Sequence, residues 1–224
     1  MADSDRWFGI HSQPELCRVG GNGPDNTTQI IPIVRYTKDG ESFLDVGCGS
    51  GATLDTLIAV KRDVFYKGID VIETQIEYLK KSYPNFNFEV QDGHKPKEKD
   101  RSWDTVWSRH VVDHLGDFEG PMDEYCRIAN KRVICVLWYS LTDDPNHVIK
   151  NIEDGPLDAR VTYKDEYLNQ YSRERVKKWL ENKKNNGWDI LEFQEDCVWD
   201  MSRNGKGWDV VIILERQPED EETA

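Results

Sequence analysis

Long apolar runs are missing from this chain. No stretch approaches the roughly 18–20 apolar residues that cross a bilayer, so a membrane span is not expected. The opening Met1-Ala2-Asp3-Ser4-Asp5-Arg6 is acidic and lacks the basic-then-apolar order of a secretory signal. Cysteine is sparse and unpatterned. Cys17, Cys48, Cys126, Cys135 and Cys197 are odd in number, scattered, and contain no C-x-x-C pair, which argues against both a disulfide framework and a thiolate metal site. Reduced thiols in a cytoplasmic protein are the reading that remains. Positive charge is also short: 29 Lys and Arg stand against 42 Asp and Glu, a net charge of −13. Basic side chains supply most non-specific nucleic-acid affinity, so no large nucleic-acid footprint is expected. At 224 residues the chain fits one domain. The sequence is silent on oligomeric state.

What is present is organised around Phe43-Leu44-Asp45-Val46-Gly47-Cys48-Gly49-Ser50-Gly51-Ala52-Thr53-Leu54. It reads as a buried strand, a glycine-rich turn and the opening of a helix. Glycines let backbone approach a ligand closely and adopt positive φ, and the helix start presents unpaired N–H groups to whatever occupies the loop. Such a unit holds a nucleotide-like ligand at the carboxyl edge of an open α/β sheet. The spacing is G-x-G-x-G rather than the dinucleotide G-x-G-x-x-G. Asp45, two positions before the first glycine, would repel a pyrophosphate and suits a ligand carrying an ammonium group.

The remaining pattern alternates strands and helices. Val64 to Asp70 reads as a second strand. Ile72, Ile76, Leu79 and Tyr83 mark an amphipathic helix, stopped by Pro84. Phe86 to Gln91 is a third strand, ending at Asp92-Gly93, and the charged run His94 to Arg101 is a surface loop. Trp103 to Ser108 is a fourth strand, followed by a helix on Phe118, Met122, Tyr125, Cys126 and Ala129. Arg132 to Tyr139 is the most continuous β run and the expected central strand. Residues 141–171 form an inserted loop or lid. A helix with Val176, Trp179 and Leu180 on one side, capped by Ser172, precedes two strands, Trp188 to Glu195 and Trp208 to Glu215, paired antiparallel across a polar connection holding Asn204-Gly205. Residues 1–40 form a leader whose Ile30 to Val34 segment packs on the sheet edge or over the ligand. An acidic tail, 216–224, closes a single domain, 1–224.

The glycine loop with Asp45 resembles motif I, D/E-x-G-x-G-x-G, of the class I S-adenosylmethionine-dependent methyltransferases. Five β–α repeats followed by a terminal hairpin resemble the same family. The resemblance implies a Rossmann-like three-layer α/β sandwich whose seven-stranded, mostly parallel sheet has the order 3-2-1-4-5-7-6 with an antiparallel last strand. It covers about residues 40–216 and implies S-adenosylmethionine as cofactor. Asp45, Gly47, Cys48, Gly49 and Gly51 belong to the loop. Asp70, 19 residues after Gly51, sits with Val71 where an acid bonds both ribose hydroxyls, or else caps the following helix. Asp92 with Gly93 sits where an acid bonds the adenine amino group, or else is a turn residue. Trp103 to His110 resembles motif IV, where Ser108 and Arg109 place backbone under the methionine part of the cofactor and Asp104 anchors the strand.

Val111-Val112-Asp113-His114-Leu115 resembles the h-x-H-L segment of small-molecule members. His114 is there a base or a positional residue, with His110 the weaker candidate, and Asp113 and Tyr139 are placed near the acceptor. No N/D-P-P-Y/F motif follows the fourth strand, which disfavours amino methylation of DNA bases or of a protein glutamine. Asp143, Asp144 and Asn146 resemble a catechol-type metal set, but turn formers suffice, and no metal is expected. The six basic residues between Arg173 and Lys184 read as a solvated face. None of the nine tyrosines has Lys four positions on, which sets aside a short-chain nicotinamide reductase. The expected activity is methylation of a hydroxyl or amine on a small molecule. An RNA or protein acceptor, and a non-catalytic cofactor-binding protein, are the alternatives.

Overall fold

The computed structural model describes residues 27–137, 150–151, 167–168, 171, 173–201 and 205–218. In chain order these form α1 (Thr27–Tyr36), β1 (Ser42–Val46), α2 (Ala52–Ala59), β2 (Phe65–Asp70), α3 (Glu73–Ser82), β3 (Asn87–Val90) and β4 (Trp103–Arg109). A 3-10 turn (Val112–His114), α4 (Glu119–Ile128), β5 (Ala129–Leu137), the short β6 (Lys150–Asn151) and β7 (Tyr167–Leu168), α5 (Arg173–Asn185), β8 (Trp188–Met201) and β9 (Gly205–Arg216) follow. The main sheet has seven strands in the order β3-β2-β1-β4-β5-β9-β8. β1 to β5 run parallel, while β9 is antiparallel to both β5 and β8. Counting only this sheet, that is the expected 3-2-1-4-5-7-6.

Helices on both faces explain why the central strands are apolar at successive positions rather than at alternate ones. Val133 and Cys135 of β5 join Leu44 and Val106 in one core with Met122 of α4 and Trp179 of α5. Ile134 and Val136 point the other way, joining Phe43 and Trp107 in a second core with Leu54 of α2 and Ile76 of α3. The described part of that run, Arg132 to Leu137, is an interior strand buried on both faces, as its continuity predicts, while the middle of the seven strands is β4. Tyr139 and Trp138 themselves lie outside the described residues, as do Ser172, Asp143, Asp144 and Asn146.

Several boundaries differ from the sequence reading. Helical spacing would put Ile58 with Leu54 and Leu57 on the inward face of α2, yet Ile58 is 49% exposed while the other two are buried. Ala129 starts β5 rather than ending α4. The last two strands are longer than the apolar pattern indicates, because mutual pairing from Trp188 to Met201 carries polar residues into the hairpin. Ile30 to Val34 lies in α1, where Ile33 is buried and Ile31 and Val34 are half exposed. Of the five β–α repeats, the third lacks its helix, and β3 reaches β4 through a loop. That loop is not merely solvated. Glu98 accepts hydrogen bonds from Lys67 Nζ at 2.6 Å, Trp103 Nε1 at 2.9 Å and Gln91 Nε2 at 3.0 Å. Burial alone would raise the Glu98 carboxyl, but these donors hold it below the usual range.

Beside the start of β1, Arg132 binds Glu41 through two nitrogens, at 2.8 and 3.0 Å, and Glu215 at 3.0 Å. It also donates to the carbonyl of Tyr36 at the end of α1. The side chains of Arg132 and Glu41 are only 4% and 7% exposed, so removing one leaves the other charge stranded. Arg132→Leu should cost about 3 kcal/mol, the lower end of the usual range, because Lys131 stays 3.3 Å from Glu41. For a chain of this size the melting temperature should fall by roughly 6–12 °C. Arg35→Ala, at a more exposed pair with Glu192, should lower the melting temperature by less than Arg132→Leu does. Equal losses in a thermal melt would mean that the buried network is not the tether.

Candidate cofactor and active site

The carboxyl ends of β1, β2, β3 and β4 lie side by side, and the chain leaves each through a polar turn. After β1 the loop passes through three left-handed glycines, Gly47, Gly49 and Gly51, with φ of 71°, 51° and 88°. The Ile69 carbonyl accepts the N–H of both Gly47 and Cys48, at 2.8 and 3.0 Å. A Cβ on Gly47 would sit 2.1 Å from Val111 Cγ2, so only hydrogen fits between the loop and the turn after β4. Gly51 ends the loop, and its carbonyl accepts the N–H of Asp55 in α2 at 3.0 Å. The Cys48 side chain points down rather than toward the cleft. It packs on Gly68, where a Cβ would meet Sγ at 2.9 Å.

The acids occupy three different settings. Asp45 is 1% exposed and accepts a 2.7 Å hydrogen bond from the Tyr66 hydroxyl. Burial, with the charge of Asp70 adding to it, pushes its carboxyl up to about 7, against the hydrogen bonds of Tyr66 and Thr53 and the charge of Arg109. Asp70 is partly buried, with Oδ2 accepting the Gly49 N–H at 2.9 Å and Oδ1 the Ile72 N–H at 2.9 Å. Burial raises its carboxyl, and bonds from Ile72, Gly49 and Val71 oppose the rise. It thus ties the glycine loop to the start of α3, and each oxygen keeps a second lone pair for a ligand. Asp92 is exposed, and its Oδ1 accepts the His94 N–H at 2.8 Å. The Gly93 carbonyl accepts the Tyr125 hydroxyl at 2.9 Å.

The turn after β4 carries the remaining candidates. Ser108 is buried and Arg109 partly buried at the end of the strand. His110 has φ 55°, an uncommon conformation for a residue with a side chain. Burial first, then the charges of Arg109 and His114, push its imidazole well below the usual range, so it stays neutral. His110 Nδ1 is 4.0 Å from Asp113 Oδ2, and Asp113 is 1% exposed. His114 closes the 3-10 turn, donating its N–H to Val111 at 2.9 Å. The Tyr171 hydroxyl donates to the Val112 carbonyl at 2.7 Å, and β7 packs against the same turn. Sequence reasoning gave Tyr66, Tyr125 and Tyr171 no role at the site. The signal for Tyr66 was available: an acid inside an apolar strand needs a donor on its neighbour. Among the described residues no cluster of His, Cys, Asp and Glu could hold a metal ion. Asp104 anchors β4, accepting the Ser42 N–H at 3.0 Å.

The ends of β2 and β3 therefore offer carboxylates, which only accept hydrogen bonds, beside a glycine loop with no basic side chain. That acceptor set fits a ligand rich in hydroxyl, amino and cationic groups better than it fits a pyrophosphate. A family model described as a methyltransferase domain matches residues 37–184. The chain belongs to this methyltransferase family. S-adenosylmethionine is the cofactor, with two ribose hydroxyls, an adenine amino group and a cationic methionine end to set against these acids.

An O-methyltransferase of Pyrenophora dematioidea is 29% identical over 122 residues, 47% of this chain and 45% of that protein. Ajmaline N-methyltransferase of Rauvolfia serpentina is 27% identical over 135 residues, 54% of this chain and 46% of that protein. The chain thus aligns with less than half the length of these curated relatives. A solved structure of magnesium protoporphyrin IX methyltransferase from Synechocystis, with bound SAH, superposes with a TM-score of 0.62 at 15% identity, covering 96% of this chain and 98% of that one. The likeness confirms the fold.

Asp45 gives this methyltransferase domain a pH signature. Its folded-state value of about 7 lies above the ordinary 3.8, so the folded protein holds this proton more tightly than the unfolded chain does. The stabilisation is complete below about pH 4 and is lost as pH rises toward 7. Relative to wild type, Asp45→Asn should gain on the order of 3–4 kcal/mol between pH 4 and 7. Parallel denaturation curves across that window would show instead that the carboxyl titrates normally. Gly47→Ala should lower stability by several kcal/mol through the Val111 clash and the positive φ. Gly47→Ala with Val111→Ala should recover part of the loss, whereas no recovery would locate the strain in the loop backbone alone.

Proposed function

We propose that this methyltransferase moves a methyl group from S-adenosylmethionine to a hydroxyl or amine of a small-molecule acceptor in the cytoplasm. One observation carries the reading: Asp70 ends β2 and Asp92 follows the adjacent parallel strand β3, both on the β2 side of the glycine loop, and carboxylates there suit ribose hydroxyls and an adenine amino group. The cofactor supplies an activated methyl on a sulfonium for in-line displacement. What the chain adds is orientation, worth up to ~7–11 kcal/mol in favourable cases. Asp70 holds the loop and the ribose together, Asp92 and Gly93 receive the adenine edge, and Ser108 and Arg109 deliver backbone beside the methionine end. Asp45, buried beneath the loop, sets the local negative potential that favours a cationic ligand.

The acceptor lies beside the turn at 110–115. His114 and Asp113 are the candidates for taking its proton, which a hydroxyl acceptor must lose. A small acceptor is supported by the O- and N-methyltransferases among the relatives and by the net charge of −13, which disfavours a polyanionic partner.

With S-adenosylhomocysteine at 100 times its Kd, stabilisation should be ~2.7 kcal/mol, a rise in melting temperature of roughly 5–10 °C. NAD should give none, and Asp70→Ala, measured against its own unliganded melt, should lose most of the rise. A rise with NAD alone overturns the reading. With an acceptor in hand, His114→Ala should cut kcat by ~10²-fold or more if it is the base. A change under tenfold would leave His114 a positional residue.

A further inference from the structure

A side-chain bridge joins two segments that follow the carboxyl ends of β3 and β4. His94 Nε2 lies 2.8 Å from Asp117 Oδ1, joining the turn after β3 to the segment that leads into α4. Asp117 is not free to swing, because its Oδ2 also accepts the Gly120 N–H at 3.1 Å in the first turn of that helix. The next residue, Phe118, is fully buried. At the other end of the bridge, the backbone N–H of His94 is the donor that fixes Asp92 Oδ1. A rigid helix is thus connected through Asp117 and His94 to the one acid of the site that is exposed.

We propose that His94 is a positioning residue for the adenine end of the cofactor, acting through Asp92. The proposal rests on the reading that Asp92 accepts a hydrogen bond from the adenine amino group. Both side chains of the bridge are 42% exposed, and an isolated pair of that kind contributes little to stability. Its effect is geometric. With the ring held to α4, the His94 N–H keeps Asp92 Oδ1 occupied and turns Oδ2 toward the ligand. The Tyr125 hydroxyl on Gly93 fixes the intervening carbonyl. Loosening the ring lets the carboxylate rotate away, and the site loses its discrimination between a 6-amino purine and a 6-oxo purine, whose oxygen a carboxylate repels.

The test is calorimetric titration of S-adenosylhomocysteine and of S-inosylhomocysteine into wild type, His94→Ala, His94→Gln and Asp92→Ala. Wild type should prefer the adenosyl ligand. His94→Ala should bind it about three- to tenfold more weakly, with a reduced preference over the inosyl ligand and a nearly unchanged unliganded melting temperature. His94→Gln, whose amide nitrogen can replace Nε2, should restore most of both. Full affinity and preference in His94→Ala, with losses in Asp92→Ala, overturn the positioning role alone. No loss in Asp92→Ala overturns the adenine reading and the proposal with it. Weakening of both ligands to the same degree in His94→Ala would mean a general loosening of the loop and would also overturn it.

Discussion

A single carbonyl governs the architecture of the site. Ile69 accepts the N–H of both Gly47 and Cys48, extending the β1–β2 ladder one residue beyond the strand and forcing the chain to bend away above β2. Glycine takes the positive φ that follows without strain, and only glycine leaves room for Val111 from the turn after β4. The loop is therefore fixed by its neighbours on two sides before any ligand arrives. Asp70, one residue beyond Ile69, completes the arrangement by accepting the Gly49 N–H. Ligand binding then requires little reordering of the backbone, which favours affinity.

The cost of this arrangement is a carboxyl in the core. Asp45 sits on the face that carries Phe43 and Tyr66, and burial opposes its charge more strongly than the Tyr66 hydroxyl supports it. Below about pH 7 a neutral Asp45 is the cheaper state for the protein without ligand, and an ionised one is the better partner for a cationic ligand. Stability and binding thus pull this one group in opposite directions, a common tension where a buried acid adjoins a functional site.

Some of this was legible in the sequence, and some was not. The glycine loop, the acids after β2 and β3 and the strand order followed from spacing and from the resemblance it supports, because backbone conformation leaves a local mark. Gly187 at the end of α5 has φ 84°, as a glycine in that position suggests. What stayed hidden was set by partners distant in sequence. Glu98 reads as part of a charged run, yet Lys67, 31 residues away, converts it into a partly buried anchor. His94 lies in the same run, and its partner Asp117 is 23 residues on. The length of β8 and β9 was underestimated because a hairpin pairs polar residues without an apolar signal. Ile58 failed for the converse reason: helical spacing indicates a face but not how wide a strip the neighbouring elements cover.

The two sides of the cleft are consequently built from different interactions. The glycine loop is held by backbone hydrogen bonds and close packing, with Val46 and Val111 against its glycines and those of the adjoining turn. The segment after β3 lacks a crossover helix and is held instead by charge and hydrogen bonding: Lys67 and Trp103 on Glu98, Tyr125 on Gly93, and His94 on Asp117. Packing resists displacement in every direction, because filled volume cannot be compressed. A polar network resists only along its bonds and yields when one donor is lost. The adenine side should therefore be the adjustable side of this methyltransferase and the glycine loop its fixed reference, so that changes in ligand selectivity arise from the turn after β3 while the placement of the reactive end is preserved.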